Sequence, residues 1–299
     1  MSSSEVYRED AQAIIPSPVA APNVPVNTNY YLTEGLAGVE RMRYQGPFAF
    51  TTMIDEHALQ ASMGNAGHYI VYGPVTEQQF IFIDRIRDDS HPGLRFMYLK
   101  DKQTLVIKVK IPGQDTVNSM FEGMIMVKIL EGSLHRKLHP IGSTTMIAPS
   151  GLKEPDSSFA PVSRPYQDSW PTLVIETALS HSQTRLVADT RWWLENADGQ
   201  VKIVIAISVS RAEMRIHIEK WENVHMRNQR ATLVHPNGPT PTPTKTQEID
   251  IVGNVVTGAP LKLEFEKLML RQPGDEEGDM IFDIQDLQDF AADFWRYMQ

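Results

Sequence analysis

Hydrophobic positions follow two different periods in the middle of the chain, residues 113–222, and so predict alternating helices and strands. Apolar side chains recur at helical spacing through 115–135 and 183–196, which predicts two amphipathic helices. Short runs rich in apolar and β-branched residues predict strands. These runs lie at 144–149, 153–161, 171–179, 201–209 and 214–222. The predicted order is helix, three strands, helix, strand, followed by one more strand.

The N-terminal segments carry different patterns. Residues 1–29 are rich in proline and serine and have no apolar period, so we expect a disordered tail. Residues 30–112 are expected to form a β-rich N-terminal module because runs of β-branched and aromatic residues dominate them. These runs lie at 68–75, 78–86 and 95–112, and the last contains Lys100–Gln103, which is typical of a hairpin turn.

The C-terminal segment, residues 223–299, is expected to combine a loop, a strand pair and a helix that packs on the core. Residues 235–247 are rich in proline and threonine, which predicts a surface loop. A strand pair is expected around 257–259. Between 283 and 298 the spacing predicts a helix. Its apolar face consists of Leu287, Phe290, Ala291, Phe294 and Met298.

Composition narrows the kinds of site that the chain can hold. Among 299 residues there is no cysteine, which excludes a disulfide scaffold, a thiolate zinc site and a thiol nucleophile. The net charge is −9, but residues 181–230 hold eight Lys and Arg against six Asp and Glu. Residues 231–299 hold five against twelve, so the acidity is mainly C-terminal. The net charge therefore does not exclude nucleic acid as a partner of the middle segment.

Three acidic residues stand out in the middle segment. Asp156 follows Pro155 at the entrance of a predicted strand, and Glu176 lies inside an apolar strand. A carboxylate in such a strand is costly unless it is paired, hydrogen-bonded or bound to a metal. Capping a turn and a core ion pair remain the structural alternatives for these two residues. Glu122, on the preceding helix, is a weaker candidate.

The sequence resembles the PD-(D/E)XK, or restriction-endonuclease-like, nuclease superfamily. The resemblance rests on Pro155–Asp156, on Glu176 followed by Thr177 and Ala178, and on the αβββαβ element order of residues 113–222. More loosely, the chain looks like uncharacterised fungal members. The resemblance to the superfamily implies an α/β (α+β) fold, here with β-rich extensions and a C-terminal helix. It also implies that Asp156, Glu176 and the Thr177 carbonyl bind Mg²⁺, or Mn²⁺, since hard cations prefer oxygen ligands.

The sequence departs from the family where a lysine is expected, because Ala178 occupies that position. Some members carry the lysine on the next helix, where Arg191 stands here. The resemblance thus gives a catalytic set of Asp156, Glu176 and Arg191. Arginine can hold a phosphate but cannot act as a base. An ordinary ion pair with Glu195 is the alternative for Arg191, and Lys153 is a further candidate for the same cleft.

Two functions of different classes follow. The first is Mg²⁺-dependent phosphodiester hydrolysis of DNA or RNA, with the activity weakened or lost at Ala178. The second is a non-catalytic protein-interaction protein that retains the nuclease fold, with a protein partner or a second copy of the chain bound. No apolar run reaches the length of a membrane span and residues 1–10 lack a secretory pattern, so an intracellular location, in cytoplasm or nucleus, is expected.

Overall fold

The computed structural model describes residues 28–110, 112–164, 169–179, 182–225 and 241–298. Apart from its last two residues, which begin the first helix, the predicted N-terminal tail lies outside these ranges, as do Ser180 and His181. No helix in these ranges combines the length and the apolar character needed to cross a membrane.

Two large sheets, a third sheet of two strands and their helices make up the described chain. The elements up to residue 153 are α1 (Thr28–Thr33), β1 (Arg41–Met42), α2 (Pro47–Ser62), β2 (Tyr69–Tyr72), α3 (Glu77–Ser90), β3 (Arg95–Leu99), β4 (Thr104–Lys108), α4 (Pro112–Glu131), β5 (Leu138–Pro140), β6 (Met146–Ala148) and β7 (Gly151–Lys153). The later elements are β8 (Ser157–Pro161), β9 (Leu173–Leu179), α5 (Gln183–Asn196), β10 (Ile203–Ser210), β11 (Arg215–His225), β12 (Pro241–Val252), β13 (Val255–Thr257), β14 (Leu261–Leu263), α6 (Phe265–Met269), β15 (Met280–Phe282) and α7 (Ile284–Tyr297).

The N-terminal sheet has six strands in the order β1-β2-β4-β3-β7-β6. The predicted hairpin around Lys100–Gln103 is confirmed, since β3 and β4 pair across it. The run at 78–86, interpreted as a strand, is instead part of helix α3. Thr76 starts this helix with a capping box, in which its hydroxyl and the Gln79 side chain each accept from the other residue's backbone N–H. This local signal outweighs the β propensity of the run.

The core sheet has seven strands in the order β13-β12-β11-β10-β9-β8-β5. Within it, α4, β5, β8, β9, α5 and β10 follow one another in the predicted αβββαβ order, and α5 joins the parallel strands β9 and β10. The predicted α/β (α+β) class and the element order of the core are confirmed. The first of its three strands is β5, however, whereas the segment 144–149 supplies β6 to the N-terminal sheet.

Helix α5 lies between the two sheets. One side of the helix packs on β9 and β10, and the other side packs on apolar residues of the N-terminal sheet. Trp192 and Trp193 contact each other and Trp170 within one apolar cluster, and neither is exposed to solvent. Because the N-terminal sheet covers the helix, no tryptophan of α5 is free to stack on a nucleic-acid base.

The C-terminal segment extends the core sheet and closes its other face. Strand β12 begins at Pro241, so part of the predicted loop at 235–247 is a strand paired with β11, and residues 235–240 lie outside the described ranges. The expected strand pair around 257–259 is also corrected, because β12 pairs with β13 and β14 pairs with β15. In α7, Leu287, Phe290 and Phe294 are buried in the cluster that contains α4 residues.

Candidate functional site

The segment Lys153–Asp156 carries the chain from one sheet to the other. Lys153 ends β7 in the N-terminal sheet, and Asp156 comes directly before β8 in the core sheet. Because Ser157 pairs with Ile175 of β9, the antiparallel register places Asp156 opposite Glu176. The two predicted carboxylates therefore lie together, at the junction of the two sheets.

Lys108, the last residue of β4, lies between these two carboxylates. Its Nζ donates to Asp156 Oδ2 at 2.6 Å and to Glu176 Oε2 at 3.0 Å. The side chains of Asp156 and Glu176 are each 1% exposed, and that of Lys108 is 5% exposed. A cation from the N-terminal sheet thus joins two anions of the core sheet away from solvent.

A second lysine binds the other oxygen of Glu176. Lys153 Nζ lies 2.8 Å from Glu176 Oε1 and 3.3 Å from Asp189 Oδ1 of α5, and it stands over the ring of Trp193. Trp193 Nε1 donates to the same Glu176 oxygen at 2.7 Å. Both oxygens of Glu176 are therefore occupied by donors.

Arg185 completes the network. Its Nη2 lies 2.8 Å from Asp189 Oδ1, and its Nη1 donates to the carbonyl of Tyr31. Tyr69 of β2 donates to Asp189 Oδ2 at 3.2 Å. The resulting set, which we call the ionic cluster, balances three anions with three cations, all of them buried. Its members are Lys108, Asp156, Lys153, Glu176, Arg185 and Asp189.

The pairing outweighs the effect of burial on the ionisation of the cluster. Burial alone raises the pKa of Asp156, but Lys108, Lys110 and the hydrogen bonds to its carboxylate hold that pKa well below its usual range. Burial alone lowers the pKa of Lys108, but Asp156 and Glu176 hold it well above the usual value. The pKa of Asp189 is likewise lowered, since Arg185 and the lysines outweigh its desolvation. These groups are charged around neutral pH.

The metal ligands expected from the resemblance were tested against this geometry, and they do not fit. Lys108 Nζ stands between the two carboxylates, and Asp156 Oδ2 also accepts from the Thr177 backbone N–H and hydroxyl at 2.8 Å and 2.7 Å. The Thr177 carbonyl accepts from Gln114 Nε2 at 2.7 Å. Of the predicted ligand atoms, Asp156 Oδ1 has no hydrogen-bond partner. A divalent ion between Asp156 and Glu176 would have to displace Lys108.

Helix α4 presents two more unpartnered oxygens to the same region. Gln114 Nε2 donates to Thr177, and Asn118 Nδ2 donates to Ser157 at 2.8 Å, which leaves the amide oxygens of Gln114 and Asn118 without a donor. Both side chains are buried. Glu122, the weaker candidate, accepts from the Ser157 hydroxyl at 2.7 Å. This side of Asp156 thus has more acceptors than donors, an arrangement that a water molecule or a hard cation satisfies.

Arg191 is not brought to the carboxylates. It lies two residues from both Asp189 and Trp193, about 200° around the helix, and so faces away from the cluster. Its guanidinium lies 2.7 Å from Glu195 Oε1 and stands over the ring of Tyr30. The ion pair with Glu195, the alternative considered for this residue, is the observed one. Lys153, the other candidate considered, is in the cluster.

Sequence reasoning missed Lys108, Arg185 and Asp189. A signal for Lys108 was present, since it interrupts the apolar strand β4 just as Glu176 interrupts β9. The two lysines provide the ammonium groups that the motif lacks at Ala178. Ala178 itself packs against Leu186 and Ala206 in a small apolar cluster.

Comparisons with known proteins add a likeness to solved structures. No family model and no curated protein matches the chain. Among solved structures, a crystal structure of a candidate nuclease belonging to DUF820 from Anabaena variabilis ATCC 29413 is similar to it, with 13% sequence identity and a TM-score of 0.38. The alignment covers 66% of this chain and 90% of that one.

Proposed function

We propose that this protein is a non-hydrolysing binding protein that retains a nuclease-like core. One observation carries the proposal: Lys108 Nζ lies 2.6 Å from Asp156 and 3.0 Å from Glu176, in the place where a hydrolytic centre would hold its metal ion. Lys108, Lys153 and Arg185 together balance the charges of Asp156, Glu176 and Asp189, so the ionic cluster has no net negative charge to attract a divalent cation.

Burial of the cluster supports the same proposal. Hydrolysis needs a phosphodiester to reach the metal and its ligands, yet Asp156 and Glu176 are covered by the N-terminal sheet and by Trp193. The apolar contacts of that sheet with α5 would have to break before a polymer could reach the carboxylates. The proposed binding surfaces therefore lie outside the ionic cluster, and the proposed partner is another protein or a second copy of the chain.

In this account the ionic cluster fixes the relative position of the two sheets. Buried ion pairs add little net stability compared with apolar packing, but removing one partner costs about 3–5 kcal/mol because an unpaired charge remains. Lys108 and Lys153 come from the N-terminal sheet, whereas Asp156 and Glu176 belong to the core side. Any other arrangement of the sheets would leave these charges unpaired.

Metal-dependent hydrolysis of DNA or RNA is the second candidate function. A specific observation favours it: two lysines lie beside Asp156 and Glu176, so the residue types of a PD-(D/E)XK centre are present despite Ala178. Asp156 Oδ1 also remains free for Mg²⁺ or Mn²⁺. This function needs Lys108 to leave its position between the carboxylates.

A cleavage assay separates the two functions. The purified chain is incubated with double- and single-stranded DNA and with RNA, in Mg²⁺ or Mn²⁺, beside the variants Glu176→Gln and Glu195→Gln. Glu195 is the matched control, because it pairs with Arg191 away from the cluster. The proposal expects no cleavage by any of the three proteins. Cleavage by the wild type and by Glu195→Gln, lost in Glu176→Gln, would establish hydrolysis instead.

A further inference from the structure

A second group of charged side chains lies on one face of the strand pair β11–β12. In the antiparallel register His217 pairs with Asp250, and Glu219 pairs with Glu248. Residues two apart on a strand share a face, and paired residues have Cβ atoms about 5 Å apart. The backbone alone therefore brings one imidazole and three carboxylates to adjacent positions of a regular ladder.

The side chains converge as the register requires. One ligand atom from each of His217, Glu248 and Asp250 lies within 4.8 Å of the others. His217 Nδ1 is 2.9 Å from Asp250 Oδ1, and Nε2 is 3.2 Å from Glu219 Oε1. The imidazole is 9% exposed, whereas the Glu248 side chain is 46% exposed. The group thus has a fixed nitrogen at its base and carboxylates that open to solvent.

The hydrogen bonds of His217 leave a role for a cation. A neutral imidazole has one N–H, so it can donate to only one of the two carboxylates that its nitrogens face. The other nitrogen then points its lone pair towards an anion, unless a proton or a metal ion lies between them. Imidazole nitrogen combined with carboxylate oxygen is a ligand set typical of Zn²⁺ and related divalent ions.

Two basic side chains border the group without filling it. Lys245 lies 2.6 Å from Glu248 and 3.0 Å from Glu219, and Arg215 lies 2.6 Å from Asp250. Both are about two-fifths exposed, at 36% and 41%, so they can turn into solvent. These two cations face the three carboxylates of the group.

A further contact orients one of the carboxylates. Trp221 Nε1 donates to Glu219 Oε2 at 2.8 Å, which leaves the other oxygen of Glu219 turned towards His217. In metal centres, side chains that hydrogen-bond to a metal ligand hold that ligand in position. The group is separate from the ionic cluster: Ala206 of β10 pairs with both Glu176 and Glu219, which puts two strand spacings, about 10 Å, between them.

We propose that His217, Glu248 and Asp250, assisted by Glu219, bind a divalent transition-metal ion of the Zn²⁺ class. The site does not depend on hydrolysis, nor on the proposed binding function. Zn²⁺ binding to the full chain is measured by isothermal titration calorimetry, with Trp221 fluorescence under Co²⁺ as the local readout. We expect one equivalent of Zn²⁺ to bind and Co²⁺ to quench a component of the emission that Trp221→Phe lacks.

The variants separate this site from adventitious binding. Glu248→Gln changes an exposed side chain, so the fold is kept. Zn²⁺ affinity should fall at least about tenfold, because losing even a group that only hydrogen-bonds to a metal ligand costs about 10- to 100-fold in affinity. The variant His217→Gln should bind Zn²⁺ no more tightly than Glu248→Gln does. His225→Gln is the matched control, because His225 is exposed on the same strand. The proposal is overturned if the wild type binds no Zn²⁺, or if Glu248→Gln binds as tightly as His225→Gln.

Discussion

Lys108 at the end of β4 donates a 2.6 Å hydrogen bond to Asp156 at the entrance of β8, across the junction of two sheets. Forty-eight residues separate the two partners along the chain, and Glu176 completes the bridge from a third strand. This bridge gives two buried carboxylates a cation that belongs to the protein itself.

Replacing Lys108 by Met should destabilise the fold strongly. The variant leaves Asp156 and Glu176 buried without their shared cation, a situation that costs about 3–5 kcal/mol. Urea denaturation followed by circular dichroism measures the free energy of unfolding. Lys102→Met, at an exposed position with Asp101 3.7 Å away, is the control and should change it by less than about 0.5 kcal/mol. Equal effects of the two variants would contradict the role of Lys108.

The ion pair between Lys153 and Glu176 should be energetically coupled. A double-mutant cycle with Lys153→Met and Glu176→Gln is expected to give a coupling of about 1–3 kcal/mol, because both groups are desolvated and in contact. The partly exposed pair of Arg191 and Glu195, four residues apart on α5, should give only about 0.3–0.5 kcal/mol in the same experiment. A coupling between Lys153 and Glu176 no larger than that of this pair would contradict the role of Lys153 in the ionic cluster.

Stability should fall as the pH is lowered, and Asp156 should account for part of the fall. Its pKa in the folded protein is below the unfolded value of about 3.9, so its stabilising effect is complete above that value and is lost as pH drops towards the folded pKa. The unfolding free energy of Asp156→Asn should therefore depend less steeply on pH below about pH 5 than that of the wild type. Parallel curves for the two proteins would refute this.

Lys108 contributes a loss of stability at the opposite end of the pH range. Its folded pKa is raised above the unfolded value of about 10.4, so its effect is complete below that value and is lost only as pH rises through the folded pKa. Between about pH 6 and pH 9 neither Asp156 nor Lys108 should contribute a pH dependence to the free energy of unfolding.

Docking of α7 should depend on its buried face. Phe294 is fully buried in the same cluster as residues of α4, so Phe294→Ala should cost about 3–5 kcal/mol. Tyr297 on the same helix is 71% exposed, and Tyr297→Ala is expected to change the unfolding free energy by less than about 0.5 kcal/mol. Thermal and urea unfolding of the two variants measure the difference.

Local patterns predicted much of the core but not its ionic centre. The order of elements follows from strand and helix periodicity, whereas the proximity of Asp156 and Glu176 was implied by the resemblance to the PD-(D/E)XK superfamily. Lys108 could not be assigned to that centre, because its contact depends on how one sheet lies against another. For Arg191, the helical period alone places the residue opposite Asp189 once the partners of Asp189 are known. At α3, a capping box decided between strand and helix.

We infer that the ammonium of Lys108 takes the place of a metal ion between Asp156 and Glu176. Crystals soaked in Mn²⁺ and measured near the manganese absorption edge test this inference, because anomalous scattering locates the ion. We predict no anomalous peak between the two carboxylates, with Lys108 Nζ at hydrogen-bond distance from both. A peak there, with Lys108 displaced, would contradict the account.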